Sequence, residues 1–136
     1  MLIRIFDQDP PFFKAQFLRQ LRSQLKCLCQ KYKVKKQIEV SFVTESKIRA
    51  LNKKFRSLNK TTDVLSFEML DDKILGDIII TKEQAQRQAK RYKVKLEDEI
   101  KRLVIHGFLH LIGFDHQKKT DREKMRKEEK KCRENF

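Results

Sequence analysis

His106-Gly-Phe-Leu-His110-Leu-Ile-Gly-Phe-Asp-His116 contains all three histidines of this 136-residue chain. His106 and His110 are four residues apart, so on a helix both imidazoles project from one face and can reach one ion. Gly113 can adopt the positive φ that ends a helix, which lets the chain turn back and bring His116 as a third ligand. Three neutral imidazoles leave one position of a tetrahedral zinc ion open, as in a catalytic site. The alternative is two histidines packed on a buried helix and a third in a loop.

The patterns on either side of this motif predict an α+β domain covering residues 1–136. We expect a single small mixed β-sheet of about four strands packed against helices, with the metal site at the end of a central helix. The predicted order is β-α-β-α-β-β-α-α-α. Strands are predicted at 2–6, 38–43, 63–67 and 76–80, and helices at 12–32, from Thr44 or Ser46 to about 55, from Thr81 to about 92, at 96–112 and at 118–136.

The first predicted helix carries an apolar stripe and a basic stripe. The apolar residues are Leu18, Leu21, Leu25, Leu28 and Tyr32; the basic residues are Arg19, Arg22, Lys26 and Lys33. The apolar stripe is expected to pack in the core. The basic stripe is either a solvated face or a surface that binds RNA, and the sequence leaves both open.

The net charge also suggests nucleic acid. Thirty-three Lys and Arg residues against nineteen Asp and Glu give a formal charge of +14. Counterion release from a phosphate backbone would make such a surface a source of salt-dependent affinity. A generally lysine-rich proteome would produce the same excess, so charge alone assigns no chemistry.

Several classes of protein are disfavoured. Asp7, Asp9 and two prolines occupy the N-terminal region where a secretory signal needs an apolar run, and the apolar stretch 103–114 is too short to span a bilayer. An odd count of three cysteines is typical of a reducing compartment, and Cys27 and Cys29 would point to different helix faces. We therefore expect a cytoplasmic protein without membrane contacts.

The last predicted helix is highly charged, and we expect it to be loosely packed.

The spacing His-x3-His-x2-Gly-x2-His is that of the metzincin proteases, so a zinc peptidase is one alternative. Those enzymes carry a glutamate directly after the first histidine as general base, and this chain has Gly107 there. A phosphodiester substrate needs less help from a side chain, because zinc lowers the pKa of a bound water to about 7. It does need positive charge for the transition state, which arginine supplies well.

The histidine motif closely resembles the signature of the bacterial YbeY endoribonuclease family. Leu51-Asn-Lys-Lys-Phe-Arg56, Thr62-Asp-Val-Leu-Ser-Phe67 and Gly76-Asp-Ile78 match it as well, in the same order. The resemblance implies single-strand-specific, metal-dependent RNA cleavage, with roles in maturation of the 3′ end of small-subunit ribosomal RNA and in ribosome quality control. The implied partners are single-stranded or ribosomal RNA, the small ribosomal subunit and its assembly factors.

The resemblance also implies residue roles. His106, His110 and His116 match the metal ligands, so His110 is needed for both metal retention and catalysis. Arg56 matches a catalytic arginine that would neutralise the scissile phosphate, and Asp77 an acidic position linked to ribosome contacts. The chain departs from the usual pattern at three positions. These are Ser57 where glycine is common, Glu68 where proline often follows the phenylalanine, and Phe114 where tyrosine is usual.

Asp115 adjoins the third histidine and is either a carboxylate that orients a metal-bound imidazole or a residue that stabilises the turn after Gly113. The sequence thus predicts a zinc-dependent endoribonuclease with one Zn²⁺ per chain, which nickel or another divalent metal could replace in a sample. The alternatives are the zinc peptidase and a non-catalytic ribosome assembly factor with a structural metal. The attacking group, water or the 2′-hydroxyl of the RNA, is left open.

Overall fold

The computed structural model describes residues 3–8, 11–56, 64–68, 73–114 and 118–134, with the side chains of 52, 54–56 and 64–68 left aside. The described elements follow the predicted order. They are β1 (Ile3–Phe6), α1 (Ala15–Lys31), β2 (Gln37–Val43), α2 (Glu45–Arg56), β3 (Val64–Glu68), β4 (Ile74–Thr81), α3 (Lys82–Tyr92), α4 (Leu96–Leu111) and α5 (Lys119–Glu134).

The four described strands form one mixed sheet in the order β1-β2-β4-β3. β1, β2 and β4 run parallel, and β3 pairs antiparallel with β4. In β2, Ile38, Val40 and Phe42 are buried while the residues between them are partly exposed, because successive side chains of a strand point to opposite faces. The α+β class and the small mixed sheet predicted from the sequence are confirmed.

The main core lies between the sheet and helices α1, α4 and α5. Leu21 and Leu25 of α1 are fully buried, and Phe108 of α4 is fully buried and packs against Tyr32 with ring centroids 5.7 Å apart. Each such side chain contributes about 1.5–3 kcal/mol by leaving water. The apolar stripe of α1 is therefore core, as predicted.

Thr44 and Thr81 stand at the helix starts predicted for α2 and α3, but only Thr44 makes a capping bond. Thr44 caps α2, since its Oγ1 accepts a hydrogen bond from the Lys47 backbone N–H at 3.3 Å. Thr81 occupies the N-cap position of α3, but its hydroxyl makes no capping bond to the helix backbone. Its hydroxyl donates instead to the Glu83 carboxylate at 2.5 Å, a charge-assisted hydrogen bond made by a buried side chain.

The terminal helix α5 is better anchored than its charge suggests. Met125 is 2% exposed and Cys132 is fully buried, so both side chains belong to the main core. The hydroxyl of Tyr32 donates to the Glu128 carboxylate and lies 3.4 Å from Cys132 Sγ. The expectation of a loosely packed terminal helix is wrong, because two apolar residues seven apart fix one face of α5 in the core, against α4 and beside Tyr32.

Candidate metal and RNA site

The end of α4 is built as the histidine motif predicts. Acidic residues occupy the first turn of α4, where they favour the helix dipole, and the apolar face packs in the core. Gly113 follows the helix with φ +108°, its N–H donating to the His110 carbonyl at 3.1 Å. The Phe114 N–H donates to the Leu109 carbonyl at 3.0 Å, which completes a Schellman motif. A Cβ at this position would meet nothing within 4 Å, so crowding is not the reason for glycine. The reason is the positive φ, which residues with a side chain rarely adopt.

His106 and His110 lie on the same side of α4, one turn apart. Their ring centroids are 5.1 Å apart and the ring planes are inclined at 74°. Two imidazoles bound to one tetrahedral zinc through bonds of normal length would have centroids about 5.2 Å apart. The two rings therefore have a separation that fits a shared ion.

The described part of the chain contains two of the three predicted metal ligands. His116 and Asp115 lie outside the described residues, and so does the side chain of Arg56, whose backbone ends α2. Within the described ranges, no group of three or more histidine, cysteine, aspartate or glutamate side chains is arranged to hold a metal. The roles of His116, Asp115 and Arg56 remain predictions.

A carboxylate absent from the sequence prediction meets the first histidine. Glu129 of α5 places Oε1 2.6 Å from His106 Nδ1. Burial acts to raise the pKa of Glu129, but the hydrogen bond and charge of His106, together with Arg102 and Arg133, outweigh it and lower that pKa. Glu129 is therefore an ionised acceptor for His106.

The sequence did contain a signal for Glu129. Met125 and Cys132 are seven residues apart, and Glu128 and Glu129 lie between them at the third and fourth positions, on the same helix face. Acidic residues on the buried face of a helix need partners, which here are Tyr32 and His106. The partners themselves are set by tertiary packing and could not be assigned from spacing.

Arg102 lies on α4 one turn before the two histidines, on the same side of the helix. It makes a two-pronged ion pair with Glu99, whose side chain is 1% exposed, at 2.6 and 2.9 Å. A buried carboxylate needs such a partner because losing it would leave an uncompensated charge. Arg102 thus anchors the start of α4 and adds positive potential near Glu129.

Asp77 lies on β4 at the opposite face of the sheet from the α4 core. It alternates with Gly76 and Ile78, both buried, and stands directly across from Glu39 of β2. Burial and the neighbouring Glu39 carboxylate raise the pKa of Asp77. By strand alternation, Asp77 is directed away from the histidine pair, which suits a separate role.

The cysteines take no part in the histidine site. Cys27 is exposed while Cys29 is buried, as their spacing predicts. Burial raises the pKa of Cys29 to about 11, so its thiol stays protonated and binds metal poorly. In the part of the chain that the structure covers, no helix has the length and apolar character needed to cross a membrane.

The fold and the paired histidines define a small α+β protein with a candidate metal site at a helix end. The chain matches the family model described as Endoribonuclease YbeY over residues 4–136. It therefore belongs to the YbeY family, as its motifs predicted.

Individual relatives agree with the family match. The chain is 45% identical over 92 residues to a protein named Endoribonuclease YbeY from Aquifex aeolicus, covering 65% of this chain and 61% of the relative. It is 44% identical over 120 residues to a protein of the same name from Phytoplasma australiense, covering 83% and 81%. The match thus spans less than two thirds of the Aquifex protein.

A solved structure supports the fold independently. The solution structure of a protein from Thermotoga maritima superposes with a TM-score of 0.74 at 29% sequence identity. The superposition covers 98% of this chain and 88% of that one. The arrangement of sheet and helices is therefore that of a known fold.

Proposed function

We propose that this chain is a zinc-dependent endoribonuclease specific for single-stranded RNA, acting in the cytoplasm through a single domain of residues 1–136. Its substrate would be ribosomal RNA, in maturation of the small-subunit 3′ end and in ribosome quality control. The observation that carries the proposal is that the ring centroids of His106 and His110 lie 5.1 Å apart on α4, in a chain that belongs to the YbeY family. The small ribosomal subunit and its assembly factors would be the partners.

The donor set fits the metal. His106, His110 and His116 would hold one Zn²⁺, which when bound would supply positive charge to the phosphate and to the attacking oxygen, whether that oxygen belongs to water or to the 2′-hydroxyl. Nickel or another divalent ion would bind the same imidazoles in a sample that contains it.

Other residues would contact the RNA and the ribosomal partner. Arg56 would bind the scissile phosphate and stabilise the negative charge that grows on it during cleavage. Four exposed basic residues would attract the RNA backbone, three on α1 and one just after its end: Arg19, Arg22, Lys26 and Lys33. Asp77, beside Glu39, would offer negative charge to a basic segment of a ribosomal partner.

Two substitutions separate metal binding from phosphate binding. His110→Ala should lose both zinc and RNA cleavage, whereas Arg56→Ala should keep zinc and lose cleavage by at least about 100-fold. Arg49→Ala is the matched control, since Arg49 is an exposed arginine on the same helix as Arg56. Metal analysis and cleavage of a single-stranded RNA would be measured on each purified protein.

The outcomes distinguish the alternatives. Cleavage by Arg56→Ala at the normal rate would remove the phosphate role. Turnover of an unfolded peptide by the zinc-loaded protein, with none on RNA, would favour the peptidase and overturn the proposal. Full biological complementation by an Arg56→Ala protein without cleavage would point to the assembly factor.

A further inference from the structure

The contact between Glu129 and His106 joins two helices that are separated in the chain. Glu129 on α5 and His106 on α4 are 23 residues apart, and their Oε1–Nδ1 distance is 2.6 Å. The two side chains are 13% and 25% exposed, so the contact is shielded from bulk water. Such a contact holds its geometry better than an exposed ion pair does.

A carboxylate bonded to one nitrogen of an imidazole determines which nitrogen is left to face an ion. If Nδ1 carries the proton and donates it to Glu129, then Nε2 is the nitrogen with a lone pair for a metal. A carboxylate in this position also makes the ligating nitrogen more basic than a carbonyl would.

The backbone around Glu129 is held on both sides. Met125 lies one turn before it and Cys132 almost one turn after it, and both are buried in the main core. Their packing fixes the backbone of α5 against α4 at the position of Glu129. A residue that orients a metal-binding side chain does so more accurately when packing fixes its own position than when it lies on a mobile segment.

We propose that Glu129 is a positioning residue for the metal site, orienting His106 so that its Nε2 binds the ion. The inference rests on the proposed metal site and assigns α5 a part in it. The terminal helix would therefore complete the site, although it supplies none of the histidines.

The test measures zinc binding without RNA. Zn²⁺ affinity would be determined by competition with a chromophoric chelator for wild type, Glu129→Gln, Glu129→Ala and the control Glu128→Gln. Glu128 is adjacent on α5 and bonds to Tyr32, so its variant removes the same charge from the same helix. We expect Glu129→Ala to bind zinc about 10–100-fold more weakly, Glu129→Gln to lie between, and Glu128→Gln to match wild type.

A spectroscopic readout separates orientation from general damage. In ¹⁵N-labelled, zinc-loaded wild type, the His106 ring should bind through Nε2 and show a protected Nδ1 proton. Glu129→Ala should lose that protection while retaining the native circular dichroism spectrum.

Three results would overturn the inference: unchanged zinc affinity in folded Glu129→Ala, binding of wild-type His106 through Nδ1, or equal losses in the Glu128 and Glu129 variants. RNA cleavage by the zinc-loaded wild type is assayed separately. Its absence would count against the proposed function and leave the zinc measurement readable.

Discussion

Asp77 and Glu39 stand side by side on neighbouring strands of a chain whose net charge is +14. Like charges directly opposite each other in a sheet are destabilising, and burial adds to the cost of ionising Asp77. Arg4 of β1 lies next in the same cross-strand row, beside Glu39. The two carboxylates are thus a local acidic feature maintained at some cost in stability.

The raised pKa of Asp77 gives a pH-dependent prediction. A carboxyl group with a raised pKa in the folded state binds its proton more tightly there, so its contribution favours folding at low pH. That contribution is lost as the pH rises through the folded pKa. Asp77→Asn should therefore raise the free energy of unfolding at pH 7, with the gain shrinking as the pH falls into the ordinary aspartate range.

Urea unfolding at pH 4 and pH 7 measures the effect. Glu39→Gln is a companion variant, because removing its charge should also relieve Asp77 and stabilise the fold at pH 7. A lower stability of Asp77→Asn at pH 7 would show that the ionised carboxylate is favourably paired, contrary to the interpretation.

Some features of the histidine site could be predicted from the sequence, and one could not. The face shared by His106 and His110 and the turn at Gly113 follow from helix periodicity and backbone sterics, so both could be predicted. The bond from Glu129 to His106 depends on how α5 docks on α4, which no local pattern encodes.

At the scale of elements, the order of strands and helices could be predicted because each has a clear period and clear ends. The bounds moved by a few residues: the first helix begins at Ala15 rather than 12, and β4 begins at Ile74 rather than 76. The loose packing expected for α5 is wrong, because a short apolar face is hard to recognise among its many charged residues. Two buried side chains suffice to dock a helix when carboxylates beside them also find partners.

The docking of α5 predicts a large cost for losing one of its anchors. Met125 is 2% exposed, so Met125→Ala should lower the free energy of unfolding by about 2–5 kcal/mol. Met125→Leu keeps nearly the same volume and should cost less than about 1.5 kcal/mol. Equilibrium urea denaturation of both variants gives the values. If Met125→Ala were as stable as wild type, α5 would not be packed as described.

At the scale of the whole molecule, the basic surface should govern RNA affinity. Arg22 and Lys26 are exposed on α1, away from the apolar stripe that faces the core. If this face binds RNA, replacing both with glutamine should weaken binding and make the slope of log K against log salt less steep by about 1.4. Fluorescence anisotropy with a single-stranded RNA at several salt concentrations measures both quantities.

A charge-conserving control accompanies the glutamine pair. Arg22→Lys combined with Lys26→Arg keeps both charges on the same face and should leave the salt slope unchanged. An unaltered slope in the glutamine variant would identify the basic stripe as a solvated face.

In the proposed function, the histidines hold a metal that RNA cleavage requires. Zinc content and cleavage of a single-stranded RNA should be measured on the same protein before chelation, after chelation and after zinc is returned. We expect about one zinc per chain, loss of cleavage when it is removed, and recovery when it is restored. Full cleavage by protein shown to be free of metal would contradict the account.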